Sequence, residues 1–325
     1  MNSIEKLFQN NQIKKMENYN VYCIIVTYNA LKWIDKCISS LMNSTLRINI
    51  VVVDNCSKDE TISYINNHFP EVHIISNPEN HGFGGANNQG IVYAYQKGAT
   101  HFILLNQDAW VHSDTIEKLV KIQSSQNLDL VSPIHLNGRG DSMDGEFYRK
   151  FICNDAGNEI ISNSLLGRNV EYYYSQKTIP AAAWSLTRKT IEDIGGFDPL
   201  FFHYGEDSNY IQRLLYHKKK IAVNPNCFIN HDRIYHGNVK VFNKQSTLSG
   251  LLSIYLDINK RPLSDYICCH IKNLVKFFLF FFSFRFSRCY YVIKAYFCFM
   301  RRIGKICQSK RNNKIMQSNW LNLAF

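Results

Sequence analysis

Along the first 130 residues a repeating rhythm is visible: a short apolar, β-branched run, a polar break, then apolar positions at helical spacing. VYCIIVTYN (21–29) reads as a buried strand, and Leu31, Ile34, Ile38 and Leu41 mark one helix face. INIVVVD (48–54) is a second strand. Ser57 and Glu60 have the spacing of a capping box for a helix carrying Ile62, Ile65 and Phe69. VHIIS (72–76) is a third strand, and a glycine-rich turn then leads into a helix over ANNQGIVYAYQKG. HFILLNQD is a fourth strand. Ser113 is placed to cap a helix burying Ile116, Leu119 and Val120, and LDLVSP is a fifth strand. Strands alternating with helices predict an α/β fold with a mostly parallel central sheet flanked by helices on both faces.

Residues 134–179 lose the rhythm. They are polar and Gly-rich with an aromatic cluster at 171–174, and a hairpin is the regular structure expected there. Order returns from 180 to 232: AAAWSLT, a short helix from Thr190, the segment GGFDPLFFHYGED, a helix with Ile211, Leu214 and Leu215, and the strand-like KIAVNPNCFINHD. From about residue 250 the chain is helical, aromatic and basic. The expected organisation is an extension (1–19), a main domain (20–250, divided at 133/134 into two halves) and a helical tail (251–325).

Charge sharpens this division. The net charge of +11 lies wholly in residues 251–325, which hold 13 Lys or Arg and only Asp257 and Asp265 as acids; residues 1–250 are neutral. A neutral body with a cationic tail argues against a nucleic-acid partner and for a cationic anchor. The ten cysteines form no C-x-x-C pair and several lie in apolar runs, which predicts buried free thiols of a reducing, cytoplasmic compartment. The N-terminus lacks the apolar core of a secretory signal.

In parallel sheets ligands bind at the carboxyl ends of the strands. Here those ends read Thr27-Tyr28-Asn29, Asp54-Asn55, Asn77 and Asn106-Gln107-Asp108. Asn and Asp also favour turns, but four such ends together are better explained by a shared site. Asp108 beside the Asn106 amide offers hard oxygen ligands for Mg²⁺ or Mn²⁺, which take one or two carboxylates and complete their shell with water and phosphate. Asp54 can accept from a ribose or a base. Gly82, Gly84 and Gly85 follow the third strand rather than the first, which excludes a dinucleotide fingerprint and leaves close backbone approach to a ligand. Glu206 and Asp207 precede an amphipathic helix among Phe197, Phe201, Phe202 and Tyr204, where a carboxylate with a raised pKa can act as a base. His231, on the same rim, is a candidate metal ligand.

Five segments in order, VTYN (26–29), VDNCSKDET (53–61), NPENHGFGGANNQG (77–90), LLNQDAWV (104–111) and IGGFDPLFFHYGEDSNYIQRL (194–214), resemble the family 2 glycosyltransferases of GT-A fold. The likeness is strongest to the rhamnosyltransferase-like members that build O-antigen and other bacterial surface polysaccharides. It implies an inverting transferase that takes a nucleotide-sugar donor of dTDP-rhamnose or UDP-hexose type and a glycan or polyprenyl-diphosphate-linked acceptor. Thr27, Asn29 and Asp54 would hold the nucleotide, with Asn87, Gly84, Gly85 and Asn106 near the donor. Asn106 and Asp108 stand at the D-x-D-type metal motif, His231 matches a downstream metal- or diphosphate-binding His, and Asp207 of the Glu206-Asp207 pair matches the general base. Two positions depart from the family pattern: Asn106 replaces an Asp, and Asn209 stands where a third Asp is common.

Residues 270–300 are dense in Phe and Tyr, broken by Lys272, Lys276, Arg285, Arg288 and Lys294, and their longest charge-free apolar run is far below the ~20 residues that span a bilayer. This pattern predicts a helix in the interface of an anionic membrane, placing the protein peripherally on the inner face of the cytoplasmic membrane. Packing on the body or in a homodimer interface is the alternative use of these helices. Among rival functions, a sugar-1-phosphate nucleotidyltransferase needs a G-x-G-x-R loop where this chain has TYNALKW. A non-catalytic scaffold relative finds support only in Asn106 and Asn209.

Overall fold

The computed structural model describes residues 19–175, 178–233 and 244–323. β1 (Val21–Thr27), β2 (Asn49–Asp54), β3 (His73–Ser76) and β4 (His101–Asn106) pair in parallel in the order β3-β2-β1-β4. Between them run α1 (Ile34–Met42), α2 (Thr61–His68) and α3 (Gly82–Gln96); the short β5 (Ala109–Val111) and α4 (Thr115–Gln126) follow. Side chains alternate across the sheet. Cys23, Ile25, Ile50, Val52, Ile103 and Leu105 enter a core covered by α1, α2 and α4, while Ile24, Val51, Val53, Phe102 and Leu104 enter a second core under α3.

The second half adds β6 (Leu130–Asn137), α5 (Gly145–Phe147), a π-helical turn (Tyr148–Ala156), α6 (Gly157–Leu165), β7 (Tyr173–Tyr174), β8 (Ala183–Thr187), α7 (Arg188–Ile194), α8 (Glu206–Tyr216) and β9 (Ile221–His231). The sheet continues β4-β8-β6-β9-β5, with β7 on β9. β8 is antiparallel to both β4 and β6, so β6 and β9 run in the direction of β1 to β4. Six of the nine strands therefore point the same way, and their carboxyl ends form one rim.

Several local expectations are corrected. Ser57 does not cap α2; its N–H and hydroxyl go to Asp54 at 2.9 and 2.5 Å, and Asp59 takes the Thr61 N–H instead. Ser113 is not a cap either, because Asp114 holds that position and the Ser113 carbonyl accepts from Thr45. Leu31 lies ahead of α1 and is exposed. The glycine-rich segment is itself the first turn of α3. Between 134 and 179 the expected hairpin shrinks to one bridge, Leu136 with Met143, because an Asp144 cap turns the chain into a helix. Five of the ten cysteines are buried, whereas Cys153, Cys268 and Cys307 are exposed; all ten are unpaired.

The C-terminal helices α9 (Lys244–Tyr255), α10 (Leu263–Phe282), α11 (Phe286–Arg301) and α12 (Ile303–Asn312) share a third core. Leu248, Leu251, Leu252, Ala295 and Phe299 pack there with Phe201 of the sheet domain. Polar contacts complete the docking: Ser309 donates to buried Asp198, and the Gly196 N–H donates to the Asn319 carbonyl. The outer faces of α10 and α11 and the turn between them stay bare, with Leu279, Phe282 and Phe284 at 61, 73 and 81% exposure. No described helix is long and apolar enough to cross a membrane.

Helix α3 lies close on β1 and β2 because residue 90 is a glycine. A Cβ there would sit 2.4 Å from Ile24 Cγ2 and 3.2 Å from Val53 Cγ2. Overpacking should outweigh the ~1 kcal/mol helix-propensity gain of alanine. Gly90→Ala is expected to lower stability by up to about 2 kcal/mol net, read as a lower urea midpoint at unchanged slope.

Candidate active site

Register places the rim residues side by side: Thr27 pairs with Asp54, Val26 with Asn106 and Asp54 with Ser76. The buried Asp54 carboxylate accepts from the Thr27 hydroxyl (2.8 Å) and from Ser57. Ser57 in turn accepts from the Asn29 N–H (2.9 Å), and the Asn29 side chain accepts from the Lys58 N–H (2.8 Å). Asn29 needs this support because its φ is +51°. Thr27, Asn29 and Asp54 thus form one rigid corner at the ends of β1 and β2. Gln107 clamps Tyr28 from the β4 side, accepting its N–H at 2.7 Å and donating to its carbonyl at 3.3 Å.

Next to this corner, Asp108 faces His231 across the β5–β9 pairing, with Oδ1 3.2 Å from Nε2. Behind His231 stands Asp144, its Oδ2 3.5 Å from Nδ1 and 3.4 Å from Arg233 Nε. Burial alone would lower the His231 pKa, but the Asp108 and Asp144 carboxylates outweigh it and raise the pKa. Burial pushes Asp144 the other way, yet His231, Arg233 and the Phe147 N–H hold its pKa well below the usual carboxylate range. Among the described residues no three His, Cys, Asp or Glu side chains form a ready metal cage. The Asn106 amide oxygen is buried without a partner. One carboxylate, an unpartnered amide oxygen and an imidazole suit Mg²⁺ or Mn²⁺ held jointly with a diphosphate, not a closed protein site.

The Glu206-Asp207 pair opens α8, whose start is fixed by Gly205 at φ +97° and by buried Arg213, which donates to the Ile194 and Gly196 carbonyls. Gly82 and Gly84 let the 197–206 segment lie on the first turn of α3: Cβ atoms there would meet the Phe202 carbonyl oxygen at 2.0 Å and Phe197 Cβ at 2.8 Å. Gly85 faces His81, and the Asn87 amide donates back to Phe83 on its own helix. Asp207 is partly exposed; Oδ1 accepts the Ser208 N–H at 2.7 Å and Oδ2 lies 3.6 Å from Lys150 Nζ on the π-helical turn. Glu206 is buried with Oε2 unpartnered. Burial, then the neighbouring Asp207, lifts its pKa to about 7, against a smaller opposing pull from Lys150.

The family model for glycosyl transferase family 2 matches residues 22–192, more than half of the chain. The chain belongs to this family. The glycosyltransferase is 26% identical over 219 residues to the dTDP-rhamnosyl transferase RfbF of Shigella flexneri, covering 66% of this chain and 69% of that one. It is 25% identical over 225 residues to the low-salt glycan biosynthesis hexosyltransferase Agl10 of Haloferax volcanii, covering 66% of each. Its fold is shared with S. aureus TarS 1–349, solved in complex with UDP-GlcNAc, at TM-score 0.54 and 15% identity over 75% of this chain and 68% of that fragment. These are GT-A glycosyltransferase folds, and the mixed sheet with its flanking helices is of that class.

Reading along the chain missed Asp144, Arg233 and Lys150 in this glycosyltransferase. The string DGEF has the form of a helix start, but nothing in one dimension pairs residue 144 with residue 231. The buried Glu206 yields a sharp expectation. In the unfolded chain it loses its proton near 4.5, and in the fold near 7. The native state binds the extra proton between these values, so Glu206 makes stability fall as pH rises through that window, by roughly 3 kcal/mol at most. Glu206→Gln should flatten this decline in melting temperature between pH 5 and 7 and leave pH 4 stability nearly unchanged.

Proposed function

We propose that this glycosyltransferase moves a sugar from a nucleotide-sugar donor, of dTDP-rhamnose or UDP-hexose type, to a glycan or lipid-linked acceptor in cell-surface polysaccharide synthesis, with inversion. The observation that carries the reading is Asp108 facing His231 at 3.2 Å, with the unpartnered oxygen of Asn106, two residues before Asp108, on the rim that also bears Asp54. RfbF, named for dTDP-rhamnosyl transfer, and Agl10, named for hexosyl transfer, support the donor class.

Thr27, Asn29 and Asp54 hold the nucleoside. Asp108, Asn106 and His231 hold the divalent cation, and Mg²⁺ or Mn²⁺ supplies charge neutralisation on the leaving diphosphate. Asp207 takes the proton from the acceptor hydroxyl. That oxygen bonds to the anomeric carbon as the bond to the diphosphate breaks on the opposite face, so the anomeric centre inverts through an oxocarbenium-like transition state. The partly exposed Asp207 suits the base role better than Glu206, which is buried and held protonated to about pH 7.

The bare outer faces of α10 and α11 support a peripheral membrane position. Exposed Phe282, Phe284 and Phe286 lie among Lys276, Arg285 and Arg288, the composition expected of a surface that sinks into an anionic leaflet. Such a position brings the site to a lipid-linked acceptor.

A panel of nucleotide sugars, scored by thermal shift with Mn²⁺ and then by transfer, tests the reading. Asp108→Ala and Asp207→Ala are each expected to lower turnover on the order of 10²-fold or more without a large change in melting temperature. Chelation should abolish activity and Mn²⁺ restore it; a panel with no shift and no transfer defeats the reading. For the membrane, Leu279→Glu with Phe282→Glu should abolish co-flotation with phosphatidylglycerol vesicles and leave the melting temperature unchanged. Wild-type protein that stays unbound at low salt contradicts this part.

A further inference from the structure

We propose that Tyr204 is a specificity-determining residue, its exposed ring the platform on which a sugar ring of the acceptor lies while Asp207 reaches the attacking hydroxyl. The inference rests on Asp207 being the base and adds a residue to which that reading gives no role.

Tyr204 holds a conformation that its own side chain opposes. Its φ is +67°, and Gly205 after it stands at +97°. Glycine takes such angles freely and asparagine tolerates them, whereas a bulky residue there is an outlier. Strain of this kind persists only where the surroundings over-determine it, and it gathers at functional sites. Here the turn is clamped from two sides. Against α3, a Cβ on Gly82 would sit 2.0 Å from the Phe202 carbonyl oxygen. Against α9, the Ser249 hydroxyl donates to the His203 carbonyl at 3.1 Å, and a Cβ on Gly205 would sit 2.8 Å from Ser253 Oγ. The backbone at residue 204 is therefore fixed, and with it the place from which the ring projects.

Burial does not offset the strain, because Tyr204 is 65% exposed. Its ring meets that of His203, with centroids 3.9 Å apart. His203 in turn lies near the base: burial lowers its pKa, and the Asp207 carboxylate acts in the opposite direction. The exposed ring thus lies against a side chain that feels Asp207. Three residues of chain also keep Tyr204 within about 11 Å of Asp207, roughly the span of two sugar rings. A flat amphipathic ring held rigid at that distance suits a sugar, whose C–H face packs on the aromatic face while its hydroxyls keep polar partners. A preorganised platform lowers the ordering cost of binding and orients the acceptor hydroxyl toward the base. Tyrosines also serve membrane interfaces, but nearness to Asp207 favours a sugar over lipid.

Wild type, Tyr204→Asn, Tyr204→Phe and Asp207→Asn are compared by four measurements. These are thermal melting, flotation with phosphatidylglycerol vesicles, transfer from the nucleotide-sugar panel, and saturation-transfer NMR with methyl glycosides of rhamnose, glucose, galactose and N-acetylglucosamine. Tyr204→Asn should melt at or above the wild-type temperature, since asparagine relieves the strain. Its glycoside contacts should weaken and its acceptor KM rise by about 10-fold, at unchanged donor affinity and unchanged flotation. Tyr204→Phe keeps the ring and should rescue both readouts. Asp207→Asn should keep the glycoside contacts and lose transfer.

Wild-type glycoside contacts or acceptor KM in Tyr204→Asn overturn the proposal, as does a wild type that contacts no glycoside. Loss of flotation with glycoside contacts retained makes the ring a lipid contact and also overturns it. So does melting of Tyr204→Asn well below wild type, which shows that packing holds residue 204. A wild type whose glycoside contacts depend on Tyr204 but which transfers no sugar upholds the platform and counts instead against the base reading.

Discussion

Thr27 stands beside Asp54 and Val26 beside Asn106 because β1 is held between β2 and β4 in parallel register. Everything chemical in the molecule depends on that register. A shift of one residue in β2 or β4 would send Asp54 or Asn106 to the opposite face and bury a polar end group in an apolar core. The shift is prevented by the strands themselves. Val51, Val53, Phe102 and Leu104 fill one core and Ile50, Val52, Ile103 and Leu105 the other, and both are closed by helices. Packing on the two faces thereby sets the geometry of the edge.

At that edge, buried polar groups are affordable only in networks. Asp54 is satisfied by Thr27 and Ser57, and Asn55 by the Gly82 carbonyl, the His81 N–H and Asn77. Such satisfied networks are rigid. The unsatisfied atoms are therefore the informative ones. Among the described residues Nδ1 of His231 and both amide atoms of Asn209 are buried without partners, and so are Asn106 Oδ1 and Glu206 Oε2. A lone buried acceptor costs free energy unless something completes it, which is why the metal and base assignments gather around Asn106 and Glu206.

The aromatic tail joins the same architecture. Its inner surface shares a core with Phe201, and Ser309 and Asn319 bond the 196–198 segment that leads into α8. The helices that leave Phe282 and Phe284 bare are thus tied to the segment that carries Glu206 and Asp207. Among the described residues, one continuous set of contacts runs from the exposed aromatic faces to the candidate base.

Much of this was legible in the sequence. Short continuous apolar runs marked the strands, because parallel strands are covered on both faces, and 3.6-residue spacing marked α1, α2 and α4, because that period follows directly from helix geometry. The polar residues ending successive strands marked the rim, since parallel strands must end on one side. Strand direction in the second half, the reversal of β8 and the short β5 were not legible, because an apolar run does not encode which way it points. Ser57 carried the pattern of a helix cap but serves Asp54, since a hydroxyl takes whichever partner the tertiary fold brings nearest. Asp144 was hidden for the same reason: its helix-starting role is local, whereas its meeting with His231 requires β6 and β9 to lie side by side. The sequence by itself determined which residues are apolar, the order of the first elements and which edge is polar. Only the tertiary structure decided which polar groups meet, because those pairs, from Thr27 with Asp54 to Asp108 with His231, come from different elements and are joined by the packing of strands.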